Sequence, residues 1–413
     1  MVLNKSEMKR LGINVGDLRI VKKVENLWES PPKFVTAQVI TNAVLRVDNF
    51  PMKLKKGEVL IMPLNLYLES KRSKNRTSVL KVYRKIFSEF FTRYKGENLD
   101  NKTLLISRTG GIGDILFAQP LIKYIKEQYP TCKIIFATAP RYKPLFNCFP
   151  KGLIDEVTVI PYTKDLMERT DFQIFFEGVI ERTMESRKIH AVDLFAKMSN
   201  ITNVNFSDEK YKSELIPDQE LTYQLKGVLP DNYVVLQLKA TSPIRMMNTP
   251  KWVEIIHKML NSSDVNFAFV DTPERSKMYD KVIEMIISSG KNIDKSRLHN
   301  LSFTSKSLSH LVSIISLSRG VVGIDSSFNH IAGALRKPLL GLFSPFKAEL
   351  RLKYYDKALW SQPTESKCGR WPCFSHGNEA SICEYLQIGE PPECMNEIDT
   401  NDVIEKFIKM LES

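Results

Sequence analysis

The chain has 413 residues, 43% hydrophobic and 26% charged, a balance that supports two or three packed domains and excludes a disordered polyelectrolyte. The formal net charge is +12, from 59 Lys+Arg against 47 Asp+Glu. No apolar run reaches the roughly 18 residues of a membrane span, and Met1–Arg10 lacks the apolar stretch of a signal peptide. A cytoplasmic protein is therefore expected.

The charge is uneven. Residues 1–100 carry 20 Lys+Arg against 10 Asp+Glu, and the remaining 313 carry 39 against 37. The basic segment fits an anionic partner (a membrane surface at the inner face, a nucleic acid or an acidic acceptor), and a solvated basic surface fits the same count.

In chain order, residues 1–70 read as short strands and turns, with Val35–Leu45 and Glu58–Met62 β-like. Lys71–Arg76 is a charged linker. The spacing of Val79, Val82, Tyr83, Ile86, Phe87, Phe90, Phe91 and Tyr94 predicts a basic amphipathic helix. Such a helix seats in a membrane interface or packs on a neighbouring domain. From residue 101 strands and helices alternate: strand 103–107, helix 113–128, strands 133–138, 156–160 and 172–176, then a helical stretch at 186–200. A polar segment at 208–224 separates a second series: strand 233–238, helix 251–260, strand 266–270, helices 274–289 and 308–318, strand 320–324, helix 329–335, strand 337–343. The pattern predicts an α/β chain with two tandem Rossmann-like domains facing a cleft, plus a β-rich N-terminal extension. Expected boundaries are 1–100 for the extension, 101–220 and 221–360 for the two α/β domains, and 361–413 for a cysteine-rich tail with a terminal helix.

The first strand–helix turn reads Thr109-Gly-Gly-Ile-Gly-Asp114. A dinucleotide fingerprint needs a third glycine, where Leu116 stands, and an acidic residue after the second strand, which ends Ala-Thr-Ala-Pro140. The Gly-Lys-Ser/Thr of a P-loop is also absent. Asp114 falls in the first turn of its helix, where the dipole favours an ionised carboxylate. It either caps that helix or, at the carboxyl edge of the sheet, accepts a proton from a hydroxyl. In the second domain, Asp325-Ser326-Ser327 opens a helix whose N–H groups suit phosphate. His330 follows one turn in.

These two runs, Thr109-Gly-Gly-Ile-Gly-Asp-Ile-Leu with Pro120-Leu and Gly323-Ile-Asp-Ser-Ser-Phe-Asn-His330 through Pro338, together with Leu342-Phe-Ser-Pro345, resemble glycosyltransferase family 9, the ADP-heptose:lipopolysaccharide heptosyltransferases. The resemblance spans about residues 101–411. It implies a GT-B fold and inverting sugar transfer from a nucleotide-diphosphate donor, ADP-heptose-like, to an acceptor hydroxyl, with no cofactor required for catalysis. Carried over residue by residue, it makes Asp114 the general base and puts Arg108, Thr109 and Gly113 in the same loop. Asp325, Ser326 and Ser327 would contact the donor, supported by His330. The family places a cation seven residues before a tryptophan, which Arg245 fulfils relative to Trp252, and an acidic ribose ligand that Glu274 resembles. Met246-Met247-Asn248 replaces the usual Trp-Pro, and Asp271 stands where glycine is common. The acceptor implied is a glycan, a lipid-linked sugar or a protein. Two other readings share the shell: a non-catalytic binding protein, and a glycosyltransferase acting on modified nucleic acid.

Cys368, Cys373, Cys383 and Cys394 crowd 27 residues. Four thiols suit structural zinc or iron or remain free, and a reducing cytoplasm disfavours disulfides. Heptosyltransferases related to the family that modify autotransporter proteins carry a four-cysteine iron site. Cys132 and Cys148, among apolar residues, read as reduced core thiols.

Overall fold

In this computed structural model the structure describes residues 34–39, 43–47, 50–55, 59–63, 80–84, 92–289, 293–373 and 383–413. Residues Pro32–Ser413 cluster as one compact unit.

The extension contributes strands β1 (Phe34–Val39), β2 (Ala43–Val47), β3 (Phe50–Leu54), β4 (Val59–Pro63) and β5 (Leu80–Arg84). β2 and β3 pair as an antiparallel hairpin. The others form a sheet in the order β5-β1-β4-β9, where β9 (Tyr162–Thr163) comes from the first α/β domain. Ile61 lies opposite Tyr162, so the extension is stitched to that domain through backbone hydrogen bonds.

One expectation fails here. Residues 80–84 are a strand paired antiparallel with β1, not part of a basic amphipathic helix. Residues 92–94 are also extended: Tyr94 N–H donates to Gln173 O (2.9 Å), and Gln173 N–H donates to Thr92 O (2.9 Å). Leu80, Val82 and Tyr83 suit a pleated strand as well as a helix face, and the free edge of β1 decides in favour of the strand. The linker 71–76 and residues 79 and 85–91 of the expected helix lie outside the described residues.

The first α/β domain has a parallel sheet in the order β10-β6-β7-β8, with β6 at Thr103–Ser107, β7 at Lys133–Thr138, β8 at Glu156–Val159 and β10 at Phe172–Phe175. Leu104, Leu105 and Ile106 are buried on both faces, which explains the unbroken apolar run. Helix α1 (Ile112–Gln128) follows β6, and α2 (Ala191–Met198) packs beside it. The stretch after β7 is a 3-10 helix, Pro140–Cys148.

The second sheet is parallel in the order β13-β12-β11-β14-β15-β16. Its strands are β11 (Tyr233–Gln237), β12 (Asn266–Phe269), β13 (Leu298–Asn300), β14 (Gly320–Ile324), β15 (Leu339–Leu342) and β16 (Ala358–Ser361). Helices α3 (Thr249–Ser262), α4 (Ser276–Ser288), α5 (Leu308–Leu317), α6 (Ser327–Ala334), α7 (Glu349–Leu352) and α8 (Thr400–Glu412) surround it. Asn248 caps α3 by accepting from Lys251 N–H (2.8 Å). Trp252, Ile255, Ile256 and Met259 then recur at helical spacing and are buried in the same cluster as Val403, Phe407 and Met410 of α8. The terminal helix is thus part of this core.

In both sheets the strand order reverses beside the first strand, between β6 and β10 and between β11 and β14. Such switch points are where open α/β sheets leave a crevice at their carboxyl ends. Asp114 follows β6, and Asp325 follows β14.

Candidate active site

At the first switch point, Gly111 precedes α1 with φ +26°, a left-handed value that favours glycine. A Cβ on Gly111 would also lie 3.0 Å from Asp114 Oδ2. Asp114 does not cap α1. Its carboxylate is bound by the Arg108 guanidinium, which is itself 2% exposed. Arg108 Nη2 also bonds Glu181 Oε1 at 2.5 Å, and Nη1 donates to Phe176 O at 2.9 Å. Arg108 therefore holds Asp114 and Glu181 together from behind and is too buried to line the loop surface. Burial raises the pKa of Asp114, but the Arg108 cation outweighs this, helped by Arg351 and His330, and the carboxyl stays below the usual range. Burial likewise opposes the Arg108 cation, while Asp114 and Glu181 more than restore it. Thr109 is half-buried beside this pair.

Behind the pair, Ser107 Oγ donates to Glu177 Oε1 (2.5 Å) and shares a hydrogen bond with Tyr162 Oη (2.7 Å). Burial pushes the Glu177 carboxyl up to about 7, against the Ser107 hydrogen bond and the nearby Arg108.

At the second switch point, Arg245 follows β11. Its Nη1 donates to Asp325 O (3.0 Å) and lies 3.5 Å from Asp325 Oδ2, while Nη2 donates to Thr241 Oγ1 (3.2 Å). The cation and the acidic turn, 80 residues apart in sequence, meet directly. Asn329 Nδ2 donates to Ile324 O (3.0 Å) and braces the turn from inside. Ser326 stands at the N-cap position of α6 but makes no capping hydrogen bond. Its hydroxyl is buried without a partner. Ser327 is half-buried in the first turn.

The two switch points touch. Gly113 packs against His330, so closely that a Cβ there would lie 2.4 Å from His330 Cδ2. The His330 ring meets Phe117 edge-on at 4.8 Å and its Nδ1 shares a hydrogen bond with Tyr355 Oη at 3.2 Å. Gly113 thus serves helix contact rather than an open backbone approach. Burial lowers the His330 pKa to about 4, despite Asp325 and Asp114, so the ring is neutral at pH 7.

Glu274 is exposed beyond β12, its pKa lowered by a hydrogen bond from Thr272. Asp271 is buried and committed to Thr272 N–H (2.7 Å), Tyr279 Oη (3.1 Å) and Arg275 (3.2 Å).

Two features of the site have no signal in the sequence. Glu181 reaches Arg108 across 73 residues. Arg351, on α7, is 5% exposed and lies within electrostatic range of Asp325, Asp114, Glu181 and Arg245.

Cys368, Cys373, Cys383 and Cys394 all line one small cavity of about 30 Å³, with Trp371, Tyr385 and Ile244. Four thiols are a suitable donor set for zinc or iron. As placed, however, no three His, Cys, Asp or Glu side chains among the described residues gather as a metal-ligating group. No helix among the described residues is long and apolar enough to cross a membrane.

Two Rossmann-like domains with their switch points facing each other have the architecture of the GT-B fold. Residues 189–368 match the family model of glycosyltransferase family 9 (heptosyltransferase), a span that includes the second of the two loops, at Gly323–Pro338. Three solved structures share the fold. The glycosyltransferase family 9 protein of Veillonella parvula DSM 2008 is 12% identical, with a TM-score of 0.57 over 77% of this chain and 99% of that one. The ADP-heptose lps heptosyltransferase II of E. coli is 14% identical, with a TM-score of 0.56 over 75% and 98%. The iron-containing dodecameric glycosyltransferase TibC of enterotoxigenic E. coli H10407 is 12% identical, with a TM-score of 0.53 over 92% and 92%. No curated protein matches the sequence.

Proposed function

We propose that the chain transfers a heptose-like sugar, with inversion, from a nucleotide-diphosphate donor to an acceptor hydroxyl. The observation that carries this reading is the Ser326 hydroxyl, buried without a partner at the head of α6 and not spent on capping it. A buried orphan donor of this kind is costly unless a ligand satisfies it. With the N–H groups of α6 and the Arg245 guanidinium beside it, a diphosphate is the group that fits.

In the reaction, Asp114 takes the acceptor proton as the hydroxyl oxygen bonds to the anomeric carbon. The bond from that carbon to the donor phosphate breaks, and the electron pair leaves on the nucleoside diphosphate. Arg245, Ser326 and the head of α6 stabilise the charge gained. Arg108 sets the orientation of Asp114. The bound diphosphate raises the basicity of Asp114 by bringing negative charge toward it, offsetting part of the Arg108 effect. Thr109 and Ser327 would edge the acceptor and donor sides, His330 would support the donor turn, and Glu274 would hold the donor ribose. TibC has been captured with ADP-D-beta-D-heptose, which supports an ADP-linked heptose as the first donor to test. The acceptor, a glycan, lipid-linked sugar or protein, is assigned to the side of the extension, whose β4 joins β9.

The donor reading is tested by thermal shift of the full chain against a panel of nucleotide sugars. At least one should raise the Tm of the wild type, and Ser326→Ala should lose most of that shift. A flat response of the wild type to the whole panel would refute it. The four cysteines are read as holding a structural zinc or iron, supported by their shared cavity and by the iron of TibC. Elemental analysis of the purified chain should find about one metal per chain that the Cys368→Ser variant lacks. Metal-free, folded and active protein would remove that part of the proposal.

A further inference from the structure

Arg351 is a buried cation with an unpaired donor. It sits on α7, just after the Ser344-Pro345 turn that follows β15. Its side chain is 5% exposed, and its guanidinium lies 5.4 Å from the centre of the Phe346 ring. Nη1 donates to Leu350 O at 2.9 Å. Nη2 is buried and bonds to nothing. Burying a cation with an unsatisfied donor is expensive, and such groups are retained where a partner arrives.

The surrounding charges indicate what that partner is. The Arg108 charge is paired with Asp114 and Glu181, although its Nε is also buried without a partner. Arg245 is engaged by the carbonyl and carboxylate of Asp325. Each of those cations is therefore already offset, and a diphosphate entering the cleft would meet Asp114 and Asp325 with no surplus positive charge. Arg351 is within electrostatic range of both carboxylates and hydrogen-bonded to neither. It supplies the surplus.

We propose that Arg351 is a second cation for the donor diphosphate, with Nη2 donating to a phosphate oxygen as the sugar–phosphate bond lengthens. The inference rests on the donor reading above and adds to it a residue outside both family loops. Since the three carboxylates Asp114, Glu181 and Asp325 already engage Arg108 and Arg245, Arg245 alone would do little to favour the leaving diphosphate over the neutral sugar. A second guanidinium entering from α7 would bias the cleft toward the diphosphate product side, where charge is greatest.

The test is isothermal titration of the full chain with inorganic pyrophosphate, ADP and adenosine. In Arg351→Met, ADP and pyrophosphate should bind about 10- to 100-fold more weakly than in the wild type, with adenosine unchanged. Arg351→Lys, which keeps the charge but not the fork, should recover part of the loss. Equal ADP and pyrophosphate affinity in folded Arg351→Met overturns the role of Arg351 and leaves the donor reading standing. A wild type that binds neither overturns both. If the methionine and lysine variants fail to fold, the wild type crystallised with pyrophosphate decides. A phosphate oxygen about 3 Å from Nη2 supports the assignment, and a diphosphate bound out of its reach overturns it.

Discussion

At the scale of the residue, the site depends on who holds Asp114. A carboxylate serves best as a base when its pKa lies near the working pH, yet Arg108 pulls this one down. Because the folded pKa is depressed, the pairing stabilises the protein above the unfolded Asp value and is lost as pH falls through the folded value. The same depression keeps Asp114 ionised throughout the neutral range, so the acid limb of kcat/KM should lie below the ordinary Asp range. In Arg108→Met, the largest opposition to burial is gone, and that limb should move up. The variant should also lose about 3 kcal/mol of stability, since the half-buried Asp114 is left without its cation. A pH–rate profile with an unmoved acid limb would show that Asp114 is not the titrating base. Asp114, Asp325 and Ser326 were legible as candidates because each lies in a short loop of recognisable composition, and Arg245 through the spacing to Trp252 that the family resemblance supplies. Glu181 and Arg351 were not, because nothing local marks a residue whose partner is 73 positions away or on another strand's loop.

At the scale of the element, the meeting of α1 and α6 is the joint at which the two switch points touch. Gly113 and His330 touch where any side chain would collide. Gly113→Ala should therefore cost about 1–3 kcal/mol, by overpacking, and lower transfer more than donor binding, because it separates the Asp114 loop from the donor turn. Gly152→Ala is the control: it lies at positive φ with nothing within 4 Å, so it should cost stability without that selective loss of transfer. Measured melting curves and turnover of the two variants separate them, and equal turnover in both would argue against the joint. Elements with one strong pattern were foreseen closely, as at β6, α1 and α3. The expected helix at 79–94 was not, because Val82 and Tyr83 fit the helical spacing while Leu80 and Val82 fit strand alternation, and the edge of β1 that β5 pairs with is invisible in sequence. The short strands β9, β13 and β16 were missed for the same reason: two to four residues carry no period, and pairing partners define them.

At the scale of the whole molecule, two similar sheets place their switch points against each other, and Arg108, Asp114, Glu181, Arg245, Asp325 and Arg351 collect there. The alternation of strands and helices, with two loops of the right composition, made this architecture legible from sequence. The joining of the extension to β9 and the folding of the terminal helix into the second core were not legible, since both depend on contacts made between distant segments. The account stands or falls on Asp114 as base at one side of the cleft and the diphosphate at the other. The most direct measurement is Asp114→Asn, which keeps shape and removes the base, assayed for sugar transfer and for donor binding on the same preparation. Transfer should fall by about 10²- to 10⁴-fold while donor affinity stays within about threefold. Turnover close to that of the wild type, with donor bound normally, would contradict it.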